Sequence, residues 1–211
     1  MKVLIFTNGR YGDPDFYKDY LKTVPEPYII CVDGGANFTK KIGLFPNVIL
    51  GDMDSISQET LKFYERVEMK RYPACKDETD TELAISHAIE MDPEEVILFG
   101  ALGTRIDHSL GNIYLLTRLL EAGITGKIID EKNCIFLMCG DMNLELPIGT
   151  VISLLPLGGD NEGINIQGFK YPIVNGRMTM KNTYGISNVV ALEKQRISVE
   201  KGILLVDLPK D

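Results

Sequence analysis

Two aspartates separated by one residue, Asp52 and Asp54, directly follow a short apolar run. That run, Val48–Leu50, predicts a buried strand that ends at Gly51. Two carboxylates this close repel each other unless a cation lies between them or one of them takes a proton. Proteins bind Mg²⁺ with one or two carboxylates together with the phosphates of a substrate. The pair therefore indicates a magnesium site, or else a solvated turn in which Ser55 caps the next helix.

Polar residues and glycines recur at predicted strand ends throughout the first 128 residues. Predicted strands alternate there with predicted helices, which is typical of a mostly parallel sheet with right-handed crossovers. The predicted strands cover residues 2–7, 28–32, 48–50, 69–72 and 95–99, and the predicted helices cover 13–21, 36–42, 57–66, 79–91 and 109–121. Because open α/β sheets bind ligands at the carboxyl ends of their strands, these polar groups are expected along one edge.

The residues expected at this edge have the groups that a complex of metal and polyphosphate requires. Carboxylates would hold Mg²⁺, Lys76 and Arg105 would neutralise phosphate charge, and glycines would leave backbone N–H groups free for phosphate oxygens. The expected set is Asp33, Gly34, Gly35, Asp52, Asp54, Lys76, Asp77, Thr79, Asp80, Gly100, Gly103, Arg105, Asp107, His108 and Asn112. Such a set serves phosphoryl transfer, in which catalysis is mostly positioning and charge stabilisation.

Single members of this set also have structural explanations. Asp33 and Asp107 could cap helices, and Asp80 could favour the positive end of a helix dipole. Lys76 could be solvated. His108 is expected to pack or cap rather than to act as a base, because metal-assisted transfer to a primary alcohol needs little base. Convergence on one edge of one sheet is what would make these residues a site.

Beyond Gly126 the pattern changes to short strand-like runs separated by clusters of glycine, asparagine, aspartate and proline. The runs cover residues 127–131, 135–139, 151–155, 163–166, 177–180, 189–192, 196–200 and 203–206. Turns are predicted at 140–141, 158–160, 175–176 and 201–202. The chain is therefore predicted to be an α/β protein, with a mostly parallel α/β sheet domain over residues 1–128 and an all-β sandwich over residues 129–211.

The composition is that of an ordinary soluble protein, with 211 residues, 45% hydrophobic and 25% charged. The net charge of −8 argues against a nucleic acid or an anionic membrane surface as a partner. No apolar run reaches the length of a membrane span, and the amino-terminal run is not expected to be a signal peptide. The four cysteines show no metal-site spacing, and with only two histidines they argue against zinc. We expect reduced thiols in a cytoplasmic protein.

Five motifs together carry a resemblance. They are Asp33-Gly34-Gly35-Ala36-Asn37, Gly51-Asp52-Met53-Asp54-Ser55, Lys76-Asp77-x-Thr79-Asp80-x-Glu82, Gly100-x-x-Gly103-x-Arg105-x-Asp107-His108 and Gly185-Ile186-Ser187-Asn188. As an ordered set that spans nearly the whole chain, they closely resemble the motifs of the thiamine pyrophosphokinase family.

The resemblance implies an ATP- and Mg²⁺-binding catalytic domain over residues 1–128 and a thiamine-binding sandwich over residues 129–211. It implies transfer of the pyrophosphoryl group of ATP to the hydroxyethyl oxygen of thiamine, giving thiamine diphosphate and AMP. The implied catalytic residues are Asp52, Asp54, Asp80 and Arg105, and the implied Mg²⁺ ligands are these three aspartates with Asp33 nearby. Ser187 and Asn188 would bind thiamine. A homodimer with its sites at the subunit interface is also implied.

Some questions stay open from the sequence. The chain has no tryptophan, which some members of the family place against thiamine, so the stacking partner is left open. A haloacid-dehalogenase-type phosphatase would also place Asp-x-Asp after a strand, with the first aspartate as nucleophile, and would release inorganic phosphate without an acceptor. A non-catalytic nucleotide or thiamine sensor is the other alternative, although binding alone needs fewer carboxylates. Formation of AMP from ATP and thiamine would separate the three functions.

Overall fold

The structure is a computed structural model that describes residues 1–210. It contains two compact units, Met1–Glu131 and the residues from Lys132 onward. The first unit is built from alternating strands and helices, and the second contains strands. No helix within the described residues is long and apolar enough to cross a membrane.

The first unit holds one parallel sheet with the strand order β6-β5-β1-β2-β3-β4. Its strands are β1 Lys2–Phe6, β2 Tyr28–Val32, β3 Val48–Gly51, β4 Glu68–Arg71, β5 Glu95–Phe99 and β6 Thr125–Ile129. Its helices are α1 Pro14–Lys22, α2 Gly35–Lys41, α3 Gln58–Phe63, α4 Asp80–Ile89 and α5 Ile106–Glu121. The predicted mostly parallel α/β sheet is confirmed.

The central strands are apolar on both faces because helices cover the sheet on each side, as parallel sheets require. Strands β1, β3 and β5 are almost entirely buried. Helices α1, α3 and α4 begin with an ordinary side-chain N-cap. Thr79 is the N-cap of α4, and its hydroxyl accepts a hydrogen bond of 3.2 Å from the backbone N–H of Glu82. This cap fixes the position of Asp80, which is the first residue of α4.

The sheet reverses its direction of growth at β1, which pairs with β2 on one side and with β5 on the other. The loops that follow β1 and β5 therefore leave the sheet side by side. Such a topological switch point is where open α/β sheets bind ligands. The carboxyl edge of this sheet is consequently the place where the predicted site residues should meet.

The second unit is an antiparallel β-structure in which long strands bend and so contribute to two layers. Its strands are β7 Cys134–Leu144, β8 Val151–Gln167, β9 Ile173–Met178, β10 Asn188–Val189 and β11 Gln195–Asp207. The first half of β8 pairs with the second half of β11, and the second half of β8 pairs with the first half of β11. Side chains of both layers, such as Leu154 and Ile197, share one core, which gives the predicted sandwich.

Several boundaries predicted for this region were wrong. The runs 151–155 and 163–166 belong to one strand, as do 196–200 and 203–206. The turns predicted at 140–141, 158–160, 175–176 and 201–202 lie inside strands. Gly140, Gly158 and Gly202 have positive φ angles of 70°, 74° and 109°, and the register shifts near Gly202. A glycine of this conformation serves a β-bulge as well as a turn, so the sequence alone did not separate the two.

The strand predicted over residues 127–131 is β6, and it belongs to the first unit. It runs over Thr125–Ile129 and pairs in parallel with β5. The helical crossover α5 precedes it, so it repeats the strand–helix–strand pattern of the preceding elements. The sequence pattern predicts that the all-β part begins after Gly126. In the structure it begins one strand later, at β7.

Candidate active site

Asp33 stands at the centre of the carboxyl edge, where β2 ends. Its side chain is buried, with 7% exposure, and its Oδ1 accepts a hydrogen bond of 3.0 Å from the backbone N–H of Met53. A Cβ atom at Gly51 would lie 2.0 Å from this Oδ1, so the end of β3 must be glycine for Asp33 to fit. The ends of β2 and β3 are thus locked together through one carboxylate.

Asp33 shares its surroundings with two carboxylates from other loops, those of Asp52 and Asp80. The pKa of Asp33 is raised to about 7, chiefly by burial and in addition by the neighbouring carboxylates of Asp80 and Asp52, while the hydrogen bond from Met53 opposes the shift. Carboxylates that influence one another in this way are close enough to share a charge environment. The structure therefore brings together the predicted residues that follow β2, follow β3 and begin α4.

Lys76 supplies a positive charge to this group. Its Nζ lies 2.8 Å from Oδ1 of Asp80 and donates a hydrogen bond of 2.9 Å to the backbone carbonyl of Pro73. The side chains of Lys76 and Asp80 are 13% and 22% exposed. Burial lowers the pKa of Lys76, but Asp80, Asp52 and Asp33 more than compensate and raise it above its ordinary value. Lys76 is therefore a charged partner of the carboxylates and not a solvated surface residue.

Asp54 has a different environment from that of Asp52. Its backbone N–H donates a hydrogen bond of 3.0 Å to Oδ1 of Asp52, and its own carboxylate accepts one of 2.7 Å from the hydroxyl of Ser55. Asp54 is exposed, whereas Asp52 is half-buried. A turn is thus present and holds the two aspartates side by side, but the expectation that Ser55 caps the next helix was wrong, because the N-cap of α3 is Ser57, whose hydroxyl accepts from the N–H of Thr60.

The donor set fits Mg²⁺ by its chemistry. It consists of hard carboxylate oxygens, which Mg²⁺ prefers. Oδ1 of Asp80 is buried and, apart from its ion pair with Lys76, has no hydrogen-bond partner among the residues that the structure describes. Within residues 1–210 no three His, Cys, Asp or Glu side chains stand close enough to share an ion. The assignment of Mg²⁺ to Asp33, Asp52, Asp54 and Asp80 therefore stays a prediction.

The loop after β5 leads into α5 and carries the predicted arginine. The guanidinium of Arg105 donates hydrogen bonds of 3.2 Å and 2.5 Å to the two carboxylate oxygens of Asp107. Arg105 lowers the pKa of Asp107 to about 2. Both side chains are about two-thirds exposed, at 69% and 65%. The pair is a two-bond fork on the surface, and a phosphate could replace the carboxylate without desolvating a buried group.

Other predicted residues of this edge fix the backbone. The side-chain amide of Asn112 donates a hydrogen bond of 2.7 Å to the carbonyl of Ala101, and the N–H of Gly103 donates one of 3.1 Å to the hydroxyl of Ser109. These bonds tie the loop after β5 to the first turns of α5. Asp77 and His108 are exposed. Asn112 and Gly103 therefore shape the loop.

Gly34 and Gly35 are required by packing. A Cβ atom on Gly34 would lie 2.0 Å from Oδ1 of Asn8, and one on Gly35 would lie 2.1 Å from the carbonyl oxygen of Phe6. The start of α2 thus presses against the end of β1. This contact explains the two glycines without a ligand, and it brings the loop after β1 next to Asp33.

The loop after β1 is a part of the edge that the sequence analysis missed. Thr7, Asn8, Gly9 and Arg10 follow a strand end in the same way as the predicted residues do. The signal was present, because a polar run with a glycine directly follows an apolar strand. This run contains no carboxylate, so the sequence did not single it out as part of a metal site.

In the second unit the predicted residues Ser187 and Asn188 have different tasks. Ser187 is exposed and has a positive φ of 59°, and its N–H donates a hydrogen bond of 3.1 Å to the hydroxyl of Ser153. Asn188 is buried. Its Oδ1 accepts from the N–H groups of Tyr171 and Val189 at 3.0 Å and 2.8 Å, and its Nδ2 donates to the carbonyl of Tyr171 at 2.8 Å.

The side-chain oxygen of Asn188 is therefore committed to the backbone, where the sequence analysis expected it to bind a ligand. The residue that it fixes, Tyr171, was not among the predicted site residues. The Tyr171 ring is 58% exposed, and the Nζ of Lys170 lies 5.4 Å from its centre. An exposed aromatic residue whose backbone is fixed by Asn188 is suited to stacking on a flat ligand.

Comparison with known proteins gives matches along most of the chain. A family model described as the catalytic domain of thiamin pyrophosphokinase matches residues 19–128, and one described as its vitamin B1 binding domain matches residues 141–204. Thiamine pyrophosphokinase from Bacillus subtilis is 34% identical over 181 residues, which are 84% of this chain and 85% of that protein.

Solved structures agree with these matches. The crystal structure of the Bacillus subtilis thiamine pyrophosphokinase superposes with a TM-score of 0.89 at 30% identity and covers 100% of both chains. Yeast thiamin pyrophosphokinase superposes with a TM-score of 0.82 at 19% identity, covering 99% of this chain and 86% of that chain, which shows that the fold is shared.

Proposed function

Because the chain belongs to the thiamine pyrophosphokinase family, we propose that it transfers the pyrophosphoryl group of ATP to the hydroxyethyl oxygen of thiamine. The products are thiamine diphosphate and AMP. The observation that carries the proposal is the convergence of Asp33, Asp52 and Asp80 beside Lys76 at the carboxyl edge of the sheet. Four charged groups from three separate loops meet where an open α/β sheet binds its ligand.

In the proposed reaction the thiamine oxygen forms a bond to the β-phosphorus of ATP. The bond between that phosphorus and the oxygen bridging to the α-phosphate breaks, AMP leaves with the electron pair, and the hydroxyl proton passes to water. The charge that must be compensated lies on the phosphate oxygens, so the enzyme acts mainly by positioning and by charge stabilisation. No strong base is needed, which agrees with the exposed position of His108.

The carboxylates of Asp52, Asp54 and Asp80, with Asp33 beside them, would hold Mg²⁺. The ion, when bound, compensates the negative charge of the transferred group. Lys76 and Arg105 would then contact the polyphosphate, because each is a cation at this edge that is paired with one carboxylate. Gly103 and Asn112 keep the loop that carries Arg105 in place. Gly34, Gly35, Asp77, Thr79, Asp107 and His108 shape the surroundings of the nucleotide.

Thiamine would be bound by the second unit. We assign the stacking partner that the missing tryptophan left open to Tyr171, which is exposed and whose backbone is bonded to Asn188, the residue after Ser187. The hydroxyl of Ser187 would hydrogen-bond the aminopyrimidine. Asn188 would support both residues through the backbone.

The assembly and location that we propose are a homodimer in the cytoplasm. In this dimer the site would be shared between the subunits, with the α/β part of one chain and the β part of the other contributing. A closed twofold dimer then carries two equal sites. The strongly acidic chain would meet no nucleic acid and no membrane surface.

The reaction is tested by incubating the protein with Mg·ATP, with and without thiamine, and by measuring AMP, inorganic phosphate and thiamine diphosphate. The proposal requires AMP and thiamine diphosphate in equal amounts, and only when thiamine is present. Release of inorganic phosphate without an acceptor would point instead to a phosphatase. Binding of ATP or thiamine without any product would point to a sensor.

A further inference from the structure

The loop after β1 lies at the switch point of the sheet and touches the loop after β5. The N–H of Thr7 donates a hydrogen bond of 2.9 Å to the carbonyl of Phe99, and the N–H of Arg10 donates one of 3.3 Å to the carbonyl of Leu102. A Cβ atom at Gly9 would lie 1.8 Å from the carbonyl oxygen of Gly100. The two loops are therefore in direct backbone contact, with no room for a side chain between them.

This loop is held at both ends. The hydroxyl of Tyr11 lies 2.6 Å from the carbonyl oxygen of Thr7 and 3.3 Å from that of Phe99, and its ring stacks on Phe38 with 3.8 Å between the ring centres. The N–H of Gly12 donates a hydrogen bond of 2.9 Å to the carboxylate of Glu131. Arg10 lies between Thr7 and Gly12, which these contacts hold in place. The fold therefore fixes the backbone of Arg10 without a ligand.

The loop also reaches the carboxylate group. The Asn8 side chain occupies the space where a side chain on Gly34 would stand, and Gly34 directly follows Asp33. The loops after β1, β2 and β5 consequently form one continuous stretch of the edge. A polyphosphate bound beside Asp33 would lie within the reach of a long side chain from the loop after β1.

Arg10 differs in its charge environment from Lys76 and Arg105, the two cations already placed at the carboxyl edge. Lys76 is paired with Asp80, and Arg105 is paired with Asp107. The side chain of Arg10 is exposed and forms no ion pair within residues 1–210. An arginine whose guanidinium has no carboxylate partner can bind two phosphate oxygens. No carboxylate of the chain has to be displaced first.

We propose that Arg10 is a further nucleotide-binding residue, which contacts the polyphosphate of ATP from the loop after β1. This inference rests on the proposed function for the identity of the nucleotide. It adds a third cation to Lys76 and Arg105 and gives the switch-point loop a role. Arg10 fixes the phosphates, so its loss should weaken the binding of ATP while leaving thiamine unaffected.

The test compares Arg10→Gln and Arg10→Lys with the wild-type protein and with Arg66→Gln. Arg66 is an exposed arginine between α3 and β4, at the opposite edge of the sheet, so it matches the change in charge. Binding of Mg·ATP without thiamine, and of adenosine, is measured by calorimetry. A charge-assisted bond to phosphate predicts that Arg10→Gln weakens Mg·ATP binding by about tenfold or more, with adenosine binding unchanged.

Arg10→Lys should fall between Arg10→Gln and the wild type, and Arg66→Gln should bind like the wild type. In steady-state assays Arg10→Gln should raise the KM for ATP and leave the KM for thiamine unchanged. Wild-type affinity of Arg10→Gln for Mg·ATP would overturn the inference, and so would an equal loss for adenosine, since that would mean a damaged loop.

The proposed function and the proposed role of Arg10 can be refuted separately. If the wild-type protein forms no AMP from ATP and thiamine, the proposed function fails, while a selective loss of Mg·ATP binding in Arg10→Gln would still support the role of Arg10. If the wild-type protein forms AMP and Arg10→Gln binds Mg·ATP normally, the function holds and the role of Arg10 is refuted.

Discussion

The ammonium of Lys76 lies 2.8 Å from Oδ1 of Asp80, in a group that also includes Asp33 and Asp52. Burial is the main cause of the raised pKa of Asp33, and the excess of negative charge that three carboxylates and one ammonium carry when all are ionised raises it as well. Lys76 thus acts as the internal counter-charge of the site. Mg²⁺ bound to Asp80 would place a second cation beside this ammonium, so the two positive charges compete for one carboxylate.

The first prediction concerns this competition. Replacement Lys76→Met keeps the apolar part of the side chain and removes the ammonium, so Mg²⁺ alone should bind several-fold more tightly at pH 8. The same variant should raise the KM for ATP, because a phosphate contact is lost. Calorimetry with Mg²⁺ in the absence of nucleotide measures the first effect.

Lys18→Met is the matched control for Lys76→Met. Lys18 is paired with Asp15 on the surface of α1, through an ion pair of 2.9 Å, and lies outside the site. Its replacement should change neither quantity. Unchanged or weaker Mg²⁺ binding by Lys76→Met would show that Lys76 does not compete for Asp80.

The second prediction follows from the pKa of Asp33, which burial and the neighbouring carboxylates raise from its ordinary value of 3.8 to about 7. Between these values the folded protein binds more protons than the unfolded chain. The free energy of unfolding therefore falls as the pH rises through this window, in metal-free buffer. Asp33→Asn removes the titrating group, and Asn can still accept the hydrogen bond from Met53.

We expect the thermal midpoint of metal-free Asp33→Asn to depend less on pH between about 4 and 7 than that of the wild type, and to be higher at pH 8. Unfolding curves in the presence of a chelator measure both effects. Asp92→Asn serves as the control, since Asp92 lies in an exposed turn before β5. Parallel pH profiles for the wild type and Asp33→Asn would contradict the raised pKa.

The third prediction is that Asp52→Asn and Asp54→Asn abolish most of the activity without unfolding the protein. The hydrogen bonds that these side chains accept in the turn can be kept by an asparagine oxygen. The charge needed for Mg²⁺ is lost, and a loss of several kcal/mol of transition-state stabilisation lowers kcat by about a hundredfold or more.

Circular dichroism and turnover at saturating Mg²⁺ test the two variants, with Asp92→Asn again as the control for the change of charge. Near wild-type turnover in both variants would exclude these aspartates as metal ligands. An effect of Asp52→Asn alone would restrict the metal to the residue that shares its charge environment with Asp33.

Part of the fold and of the candidate site could be predicted from the sequence. Strand–helix alternation placed Asp33 and Asp80 on one edge although they are 47 positions apart, because parallel strands all end at that edge. The sequence predicts turns inside β8 and β11, because a glycine with a positive φ angle is typical of a turn and of a β-bulge alike. The bonds from Asn188 to the backbone of Tyr171 depend on tertiary packing, which no local pattern of the sequence expresses.

The last prediction concerns the proposed sharing of the site between subunits. Tyr171→Ala removes the exposed ring and leaves the backbone bonds to Asn188 intact, so it is a cleaner change than Asn188→Ala, which would release the backbone of Tyr171. Tyr171→Ala alone should raise the KM for thiamine and leave ATP binding unchanged. Asp52→Asn alone should be inactive with its β unit intact.

In a shared dimer the two defects should complement each other. A mixed dimer of Asp52→Asn and Tyr171→Ala chains has one site with both defects and one site with none. Random exchange makes half of the dimers mixed, so up to about a quarter of the wild-type activity should return at a thiamine concentration low enough that Tyr171→Ala alone is nearly inactive. Mixing Asp52→Asn with Asp54→Asn provides the control, because every site then contains a damaged α/β part and no activity should return. If differently tagged chains are shown to exchange and the first mixture stays inactive, each site must lie within a single chain.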